Sequence, residues 1–348
     1  MRNYTMLIIL LCIGFCDRLY AQNQKADLML RIYEDNDFIN DIGKGTDDAY
    51  TNGTRIDLFY NKQHDSRFIV DRVMPKAGDN SINTFGLGLV QLMYTPKDIA
   101  NAYYQPNDYA WSGAMYLTHT LYSYNPIKKY DYQTEIVAGV IGPAALAEPS
   151  QVIVHHIISD PSIPNGWSNQ FKNNVLVNLN FTAEKELWHL QNNIELIASG
   201  KILMGTMMDA VDFGPVLQAG LMNPYFNGFM GHHSTTNQGK RAQIYFKIKP
   251  GLEAVAWNSM VEGSMFSRGY SARNISINSE QGNPAFRLID QYTREPHPAI
   301  ENLVTYLSYS LEVVYGHLSI SFTQTHNSQL VKNTYSHTYG NLTITYIF

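Results

Sequence analysis

The chain has 348 residues, a formal net charge of −5 and only 16% charged residues, whereas about 25% is usual for a soluble domain. This charge balance gives no indication of nucleic-acid binding. After the N-terminal segment there is no run of about 18 consecutive apolar residues, which excludes helical membrane spans. A large soluble all-β protein and a β-barrel in an outer membrane both remain.

Residues 1–21 are predicted to be a signal peptide. Arg2 supplies the positive start, Met6 to Phe15 form the apolar core, and Leu19-Tyr20-Ala21 is a passable cleavage site. The mature chain would then begin at Gln22. The apolar run is shorter than the roughly 20 residues that a membrane-spanning helix needs.

The only two cysteines, Cys12 and Cys16, both lie in this signal. Cys16 raises the alternative of a lipoprotein, but a lipidated cysteine normally follows a small residue and this one follows Phe15. The mature chain therefore contains no cysteine, which excludes disulfides, thiol nucleophiles and thiolate metal sites.

Residues 22–348 are predicted to form one domain: an all-β, single-chain antiparallel transmembrane β-barrel of about twelve strands. Strand-like runs recur, separated by polar, Gly, Asn and Pro clusters. Several alternate with period 2, as strands of membrane barrels do; in the last run, Leu342, Ile344, Tyr346 and Phe348 share one face. The runs are Asp27 to Glu34, Thr51 to Tyr60, Thr84 to Met93, Gly113 to Tyr124, Tyr130 to Ile141, Val175 to Ala183, His189 to Ser199, Phe213 to Met222, Arg241 to Trp257, Leu303 to Tyr315, Leu318 to Thr325 and His337 to Phe348.

A closed barrel satisfies every backbone donor and acceptor in lipid, where an open sheet edge would not survive. A soluble β-sandwich shows the same alternation and is the alternative. Aromatic residues near strand ends, such as Tyr60 and Tyr315, and the terminal Phe348 favour the membrane. Asn258 to Pro298, the longest stretch without strand character, is predicted to form an outer loop or a lid.

Two polar clusters stand out because strands and tight turns do not require them. They comprise Glu34 to Phe38 with Thr46 to Gly53, and Gly139 to Ala144 with Gln151, His155, His156 and Gly166 to Gln170. Ester hydrolysis needs an activated nucleophile and stabilisation of the oxyanion, and histidine is the commonest general base near neutral pH. Asp and Asn oxygens suit calcium, although residues 35–37 would also serve as ordinary turn formers.

Six short motifs follow one another in order from Asp27 to about Gln170. They are Glu34 to Phe38 with an inserted Asp35, Thr46 to Gly53, Tyr94-Thr95-Pro96, Gly139 to Glu148, Gln151 to His155, and Gly166 to Gln170. Together they resemble the outer-membrane lipid A deacylase family, LpxR. The C-terminal half resembles that family only as a barrel.

This resemblance implies a twelve-stranded barrel whose outer rim carries a calcium-dependent esterase site that removes a 3′-linked acyloxyacyl group from lipid A. The implied catalytic residues are His155 as general base, Asn36, Asp37, Thr51 and Gln151. Asn36 and Asp37 are also implied calcium ligands.

His156 is the alternative to His155, but it fits the position where the family has a basic neighbour. Adjacent residues of an extended segment point to opposite sides. We therefore expect only one of the two histidines to face Asp37 across the barrel interior. His232 and His233 are predicted to be loop residues rather than ligands.

Some positions depart from the family pattern. The family has a carboxylate a few residues after the histidine, and Asp160 is the candidate third calcium ligand here, with Glu148 as the alternative. Asn107 to Gly113 lacks an Arg-Pro pair of the family. Lys97, next to the Tyr94-Thr95-Pro96 motif, is therefore the candidate contact for a lipid A phosphate.

Two other functions remain as alternatives to the deacylase. One is a passive pore or structural barrel, which needs a polar lumen but no such rim cluster. The other is an outer-membrane phospholipase with a serine nucleophile, for which no G-x-S-x-G motif is visible. The expected partners are lipid A of lipopolysaccharide and outer-membrane lipids, and the expected state is a monomer in the outer membrane of a Gram-negative bacterium.

Overall fold

The computed structural model describes residues 28–40, 48–62, 66–105, 107–158, 163–191, 193–235, 242–266 and 299–348. In this part of the chain twelve antiparallel strands close into one barrel. Each strand pairs with its neighbours in sequence, and β1 pairs with β12. The strands are β1 Leu28–Asn36, β2 Ala49–Asn61, β3 Ile82–Thr95, β4 Ser112–Asn125, β5 Tyr130–Ile141, β6 Asn174–Leu190, β7 Ile194–Gly205, β8 Met208–Leu221, β9 Ala242–Asn258, β10 Leu303–Tyr315, β11 Leu318–Asn327 and β12 His337–Ile347.

Short helices occupy the connections. Among the described residues they are α1 Ile69–Val73, α2 Ala147–Ile158, α3 Phe229–His232 and α4 Ser259–Glu262, with 3-10 turns at Pro143–Ala145, Trp167–Asn169 and Tyr225–Asn227. Of these described helices, none has the length and apolar character to cross a membrane. The predicted signal peptide, residues 1–21, lies outside the described residues.

The prediction of a twelve-stranded barrel is confirmed, and each of the twelve strands is overlapped by a predicted run. The largest difference lies at the sixth and seventh strands, because β6 continues to Leu190 and β7 begins only at Ile194. The polar residues after Ala183 do not end the strand. They include Glu184, which accepts a hydrogen bond from the Tyr225 hydroxyl at 2.5 Å, and a membrane barrel tolerates such polar groups in its interior.

Side chains alternate between an apolar outer surface and a polar interior. On β12, Leu342 is exposed whereas Thr345 and Ile347 are buried, which matches the two faces predicted from the sequence. Exposed apolar side chains recur on the outer face, from Leu87 on β3 to Phe213 on β8. This outer surface is suited to lipid.

Paired charges fill part of the interior. The Asp57 carboxylate accepts hydrogen bonds from Arg31 at 2.7 Å and from Arg55 at 2.8 Å, and Arg55 also pairs with Glu135 at 2.6 Å. These residues belong to β1, β2 and β5. Each charge has an opposite partner, so none of the four is buried unpaired, which would be costly.

The β8–β9 connection folds back into the barrel and closes one end. The ring of Phe229 on α3 stacks on Tyr122, with centroids 4.2 Å apart, and meets Phe59 at 4.8 Å. Those rings belong to β4 and β2, several strands away from β8 and β9. His232, predicted to be a loop residue, is part of α3: it is buried, and its Nε2 hydrogen-bonds with the Tyr245 hydroxyl at 2.7 Å.

The two ends of the barrel differ in their connections. Residues 142–173 and 259–302 form long connections at the end where β1 finishes. Outer-membrane barrels carry their longer loops outside and their shorter turns in the periplasm, so this is the outer end. The contrast is not uniform, because residues 62–81 and 222–241 form long connections at the other end. Within the predicted lid, Asn258 to Pro298, α4 occupies the start and residues 267–298 lie outside the described part of the chain.

Candidate active site

Helix α2 lies against the outer surface of β3 and β4, and two glycines permit this approach. A Cβ added at Gly113 on β4 would lie 2.4 Å from the Cβ of Ala147. Gly142 has a φ of 98°, which L side chains rarely adopt, and it turns the chain out of β5. Gln91 on β3 then holds the turn, because its Nε2 donates to the Ala145 carbonyl at 2.6 Å.

Gln151 and His155 lie one helical turn apart on α2 and therefore share a face. They are 4% and 6% exposed, whereas His156 is exposed to solvent or lipid. This burial favours His155 over His156 as the candidate base. The expectation of an extended segment is wrong, because residues 147–158 form a helix, and helical spacing separates the two histidines instead.

Trp167 fixes the orientation of Gln151. Its indole Nε1 donates to the Gln151 Oε1 at 2.7 Å, and its ring meets Trp111 edge-on with centroids 4.9 Å apart. Since Oε1 accepts this bond, the Gln151 Nε2 remains as a donor. Within the described part of the chain, that buried Nε2 has no hydrogen-bond partner.

The end of β1 places Asn36 and Asp37 in different surroundings. The Asn36 Oδ1 accepts the Phe38 N–H at 2.7 Å, a local bond typical of turns. Asp37 is fully buried, and its Oδ2 accepts the Asp48 N–H at 2.8 Å. The Asp37 N–H donates to the Thr51 carbonyl at 3.4 Å. The Asp37 side chain thus ties together the two sides of the β1–β2 connection.

Thr51 lies at an irregularity of β2. The register of β2 against β3 shifts between Tyr50 and Asn52, so Thr51 is the extra residue of a β-bulge, a device that redirects a side chain. The Oγ1 atoms of Thr51 and Thr95 lie 2.6 Å apart, and either can donate. The contact with Thr95 therefore holds the Thr51 hydroxyl in place.

One cavity brings most of these side chains together. It lies between α2 and strands β1 to β4, and its walls combine the polar groups above with aliphatic side chains. The lining residues are Glu34, Asn36, Thr51, Asn52, Thr54, Ile56, Leu89, Gln91, Met93, Met115, Leu146, Ser150, Gln151, Ile153, Val154 and His155. The structure therefore brings Asn36, Thr51, Gln151 and His155 to one place, with Asp37 adjacent in the chain.

The cavity lies outside the barrel wall. Ile56 and Leu89 in its lining are 46% and 45% exposed and belong to the lipid-facing set of their strands, whereas the interior-facing Asp57 and Val90 beside them are buried. The expectation that His155 faces Asp37 across the barrel interior is therefore wrong. Helix α2 carries the histidine over the outside of the sheet.

The other predicted site residues are elsewhere. Lys97 is not in the cavity lining: its Nζ lies 5.6 Å from the centroid of the Tyr335 ring, and its backbone N–H donates to Asp108 at 3.0 Å. Asp160 lies outside the described residues. Glu148 is exposed in the first turn of α2 and does not line the cavity either.

The side-chain oxygens at the end of β1 fit a hard cation in their chemistry. The Asn36 amide oxygen and the Asp37 carboxylate are oxygens of the kind that calcium takes. A buried carboxylate such as Asp37 is stable only when it is paired, hydrogen-bonded or bound to a metal. Among the described residues no group of three or more His, Cys, Asp or Glu side chains is placed to hold a metal.

Three residues of the site have no role that the sequence predicts. Trp167 and Thr95 contact Gln151 and Thr51, and both stand in motifs that the sequence already distinguishes. Glu34 lines the cavity and begins the first polar cluster. The signal for these residues was present, but their partners depend on strand register and helix placement.

The family model described as "Outer membrane protein LpxR" matches residues 7–348, whereas no curated protein matches. Among solved structures, LpxR from Salmonella typhimurium has a TM-score of 0.68 at 16% identity, covering 92% of this chain and 100% of that one. The beta domain of the Bordetella autotransporter BrkA has a TM-score of 0.43 at 8% identity, covering 93% and 100%, which is too low to support an argument. Identities this low show a shared fold alone.

Proposed function

This chain belongs to the LpxR family of outer-membrane proteins, and we propose that it is a calcium-dependent esterase that hydrolyses a 3′-acyloxyacyl chain from lipid A of lipopolysaccharide. Its location in the outer membrane follows from the family and from the barrel. The reaction, the metal and the residues that act on the substrate are proposals that rest on the site.

One observation carries the proposal. Asn36, Thr51, Gln151 and His155 come from three separate parts of the chain, yet they line a single cavity on the outer surface of the barrel. Strand pairing alone does not require that convergence. The rest of the lining combines further polar side chains, such as Glu34 and Asn52, with apolar side chains, such as Ile56 and Leu89. The cavity therefore suits a lipid ester, with apolar contacts for the chain and polar groups for the ester.

His155 is the proposed general base. It takes a proton from a water molecule as the water oxygen attacks the ester carbonyl carbon, which forms a tetrahedral oxyanion. Thr51 and Asn36 orient the ester, and the unpartnered Nε2 of Gln151 is a donor for the substrate or the oxyanion. When the carbon–oxygen bond to the leaving alcohol breaks, His155 returns the proton to that oxygen. The products are a free fatty acid and a hydroxyl on the lipid.

Calcium, when bound, would polarise the ester carbonyl and stabilise negative charge on its oxygen. Asn36 and Asp37 would supply oxygen ligands, with Asp160 as the candidate third. Of Asn36 and Asp37, Asp37 would be the stronger ligand, because a carboxylate can carry a full charge whereas the Asn36 amide is neutral.

The barrel interior does not favour the alternative function of a passive pore. Phe229 and its aromatic neighbours Tyr122 and Phe59 occupy one end of the lumen, whereas a passive channel needs a hydrated path. An outer-membrane phospholipase would act in the same membrane and on a related ester. The experiment below therefore has to distinguish it from the deacylase.

Mass spectrometry of lipid A from cells with and without the protein tests the proposal. We expect lipid A to lose an acyloxyacyl group only in cells that contain the protein. Asp37→Ala or His155→Ala should abolish this loss. Asp79→Ala, an exposed residue at the other end, is the matched control. If lipid A is unchanged and phospholipids have lost an acyl chain, the protein is a phospholipase and not a lipid A deacylase. Full activity in the presence of a calcium chelator would remove the metal from the proposal.

A further inference from the structure

Glu34 lies in the cavity wall on the lipid side of β1. It points outward with Asn36, two residues further along the strand and therefore about 7 Å away. Two neighbours on β2 hold its carboxylate: the Thr54 hydroxyl donates to Oε2 at 2.7 Å, and the Asn52 Nδ2 donates to Oε1. All three side chains line the same cavity as His155. We call Glu34, Asn52 and Thr54 the wall triad.

The hydrogens of the wall triad are already used within the protein. The Asn52 Nδ2 donates to Glu34 and also to the Asp35 carbonyl, at 3.1 Å. The single hydroxyl hydrogen of Thr54 is directed at Glu34, with the Asn52 Oδ1 as a longer second acceptor at 3.3 Å. An ionised carboxylate only accepts, with about four lone-pair positions, and two of these are taken. What the triad offers to a ligand is therefore acceptors.

A carboxylate on the lipid-facing side of a barrel is costly. Charged side chains on that face destabilise a barrel in proportion to their depth, and an ionisable residue at membrane depth is a functional candidate by default. The two described side chains that donate to the Glu34 carboxyl group, Asn52 and Thr54, are neutral. A hydrogen-bond donor from the lipid would complete its shell.

We propose that the wall triad binds a hydrogen-bond donor of the lipid substrate, a hydroxyl or an amide N–H close to the ester that is cleaved, and so determines which acyl group the cavity accepts. This inference rests on the proposed esterase function and names its specificity determinant. Glu34 acts here by binding substrate, not by moving the proton that His155 takes.

Three matched ester substrates test the proposal with purified, folded protein in detergent micelles. One carries a hydroxyl near the ester, one carries an amide in its place, and one carries neither. For the unmodified protein, we expect kcat/KM to be highest for one of the two donor-bearing esters, which identifies the source of the donor. A hydrogen bond to a charged group typically changes such a ratio by about 10- to 100-fold.

Glu34→Gln keeps the size of the side chain but replaces an acceptor oxygen by a donor. We expect it to lower the kcat/KM ratio between donor-bearing and donor-free esters by about 10-fold or more. Thr54→Val leaves the carboxylate in place and removes one of its donors, so it should lower the ratio less and in the same direction. Thr54→Val also tests the proposal if the Glu34→Gln protein fails to fold. Glu301→Gln, which affects a half-buried glutamate bonded to Gln329 at the outer end, is the matched control and should leave the ratio unchanged.

The outcomes separate the two proposals. If the unmodified protein cleaves none of the three esters and leaves lipid A intact, the esterase function fails and the specificity role fails with it. If the unmodified protein cleaves them but Glu34→Gln lowers all three rates equally, Glu34 is structural and only the specificity role is overturned. Equal rates on all three esters in the unmodified protein would overturn it as well.

Discussion

Replacing Trp167 by Phe tests whether Gln151 must be held in one orientation for His155 to work. Phenylalanine keeps an aromatic ring in the site but lacks the indole N–H that donates to the Gln151 Oε1 at 2.7 Å. Gln151 is only 4% exposed, so water cannot easily replace the lost donor. The carbonyl oxygen would be left buried without that bond, or the amide would rotate.

A buried polar atom that loses its only donor costs about 1–3 kcal/mol. If losing the bond destabilises the productive orientation of Gln151 by this amount, kcat/KM drops by about 5- to 150-fold. The conversion uses a factor of ten for about 1.4 kcal/mol. The matched control is Trp111→Phe. Trp111 packs against Trp167 with centroids 4.9 Å apart, yet within the described residues its buried Nε1 has no hydrogen-bond partner. That variant loses similar ring atoms but no such bond, and we expect a smaller decrease.

The assay is release of free fatty acid from lipid A by the two purified variants. Heat-dependent mobility in gel electrophoresis, which separates folded from unfolded barrels, reports whether each has folded. A clear excess loss of kcat/KM in Trp167→Phe, with both barrels folded, supports the argument. Equal losses in the two variants would show that the aromatic packing matters and that the Gln151 hydrogen bond does not.

Three further substitutions test the proposed base, the approach of α2 to the barrel and the aromatic cluster around Phe229. His155→Ala should lower kcat by about 10²- to 10⁴-fold while the exposed His156→Ala costs much less; similar losses in lipid A deacylation would contradict the assignment of the base. Gly113→Ala should displace α2 and reduce activity, because its Cβ would lie 2.4 Å from Ala147; Gly200→Ala, where the nearest atom is 4.0 Å away, should have little effect in the same assay. Phe229→Ala should lower stability by about 3–5 kcal/mol in thermal unfolding, whereas the exposed Phe266→Ala should not; comparable midpoints would show that the aromatic cluster contributes little.

Much of the fold could be predicted because barrel strands alternate in polarity over lengths that a single sequence reveals. β12 is an example: Leu342 and Ile344 fall on one face and Thr343 and Thr345 on the other. The boundary of β6 could not be predicted in the same way. Residues 184–186, near its end, are charged. Nothing local indicates that Glu184 meets the Tyr225 hydroxyl of a connection that is distant in the sequence.

The site could be predicted only as a set of residues. The motifs indicate Asn36, Thr51, Gln151 and His155, and the structure places these side chains around one cavity. The motifs do not indicate on which side of the wall the residues meet. That depends on the strand register, the bulge at Thr51 and the approach of α2 over Gly113, which all arise from pairing between distant segments. The sequence does not indicate the role of this helix, because residues 147–158 follow a Gly-Pro turn at Gly142-Pro143 and lie among strands.

The placement of the cavity outside the wall has an energetic consequence for a lipid substrate. Moving an acyl chain out of the bilayer costs about 0.8 kcal/mol for each CH₂ group that becomes exposed to water, so about 8 kcal/mol for ten such groups. A catalytic site inside the barrel would have to offset that cost. At the outer surface the chain stays against apolar wall residues such as Ile56 and Leu89 and against the lipid, and only the ester must reach His155. The exposed apolar side chains of α2, such as Ile153 and Ile157, extend the same surface. Access to the cavity from the plane of the membrane, rather than through the lumen, is therefore the route that this architecture favours.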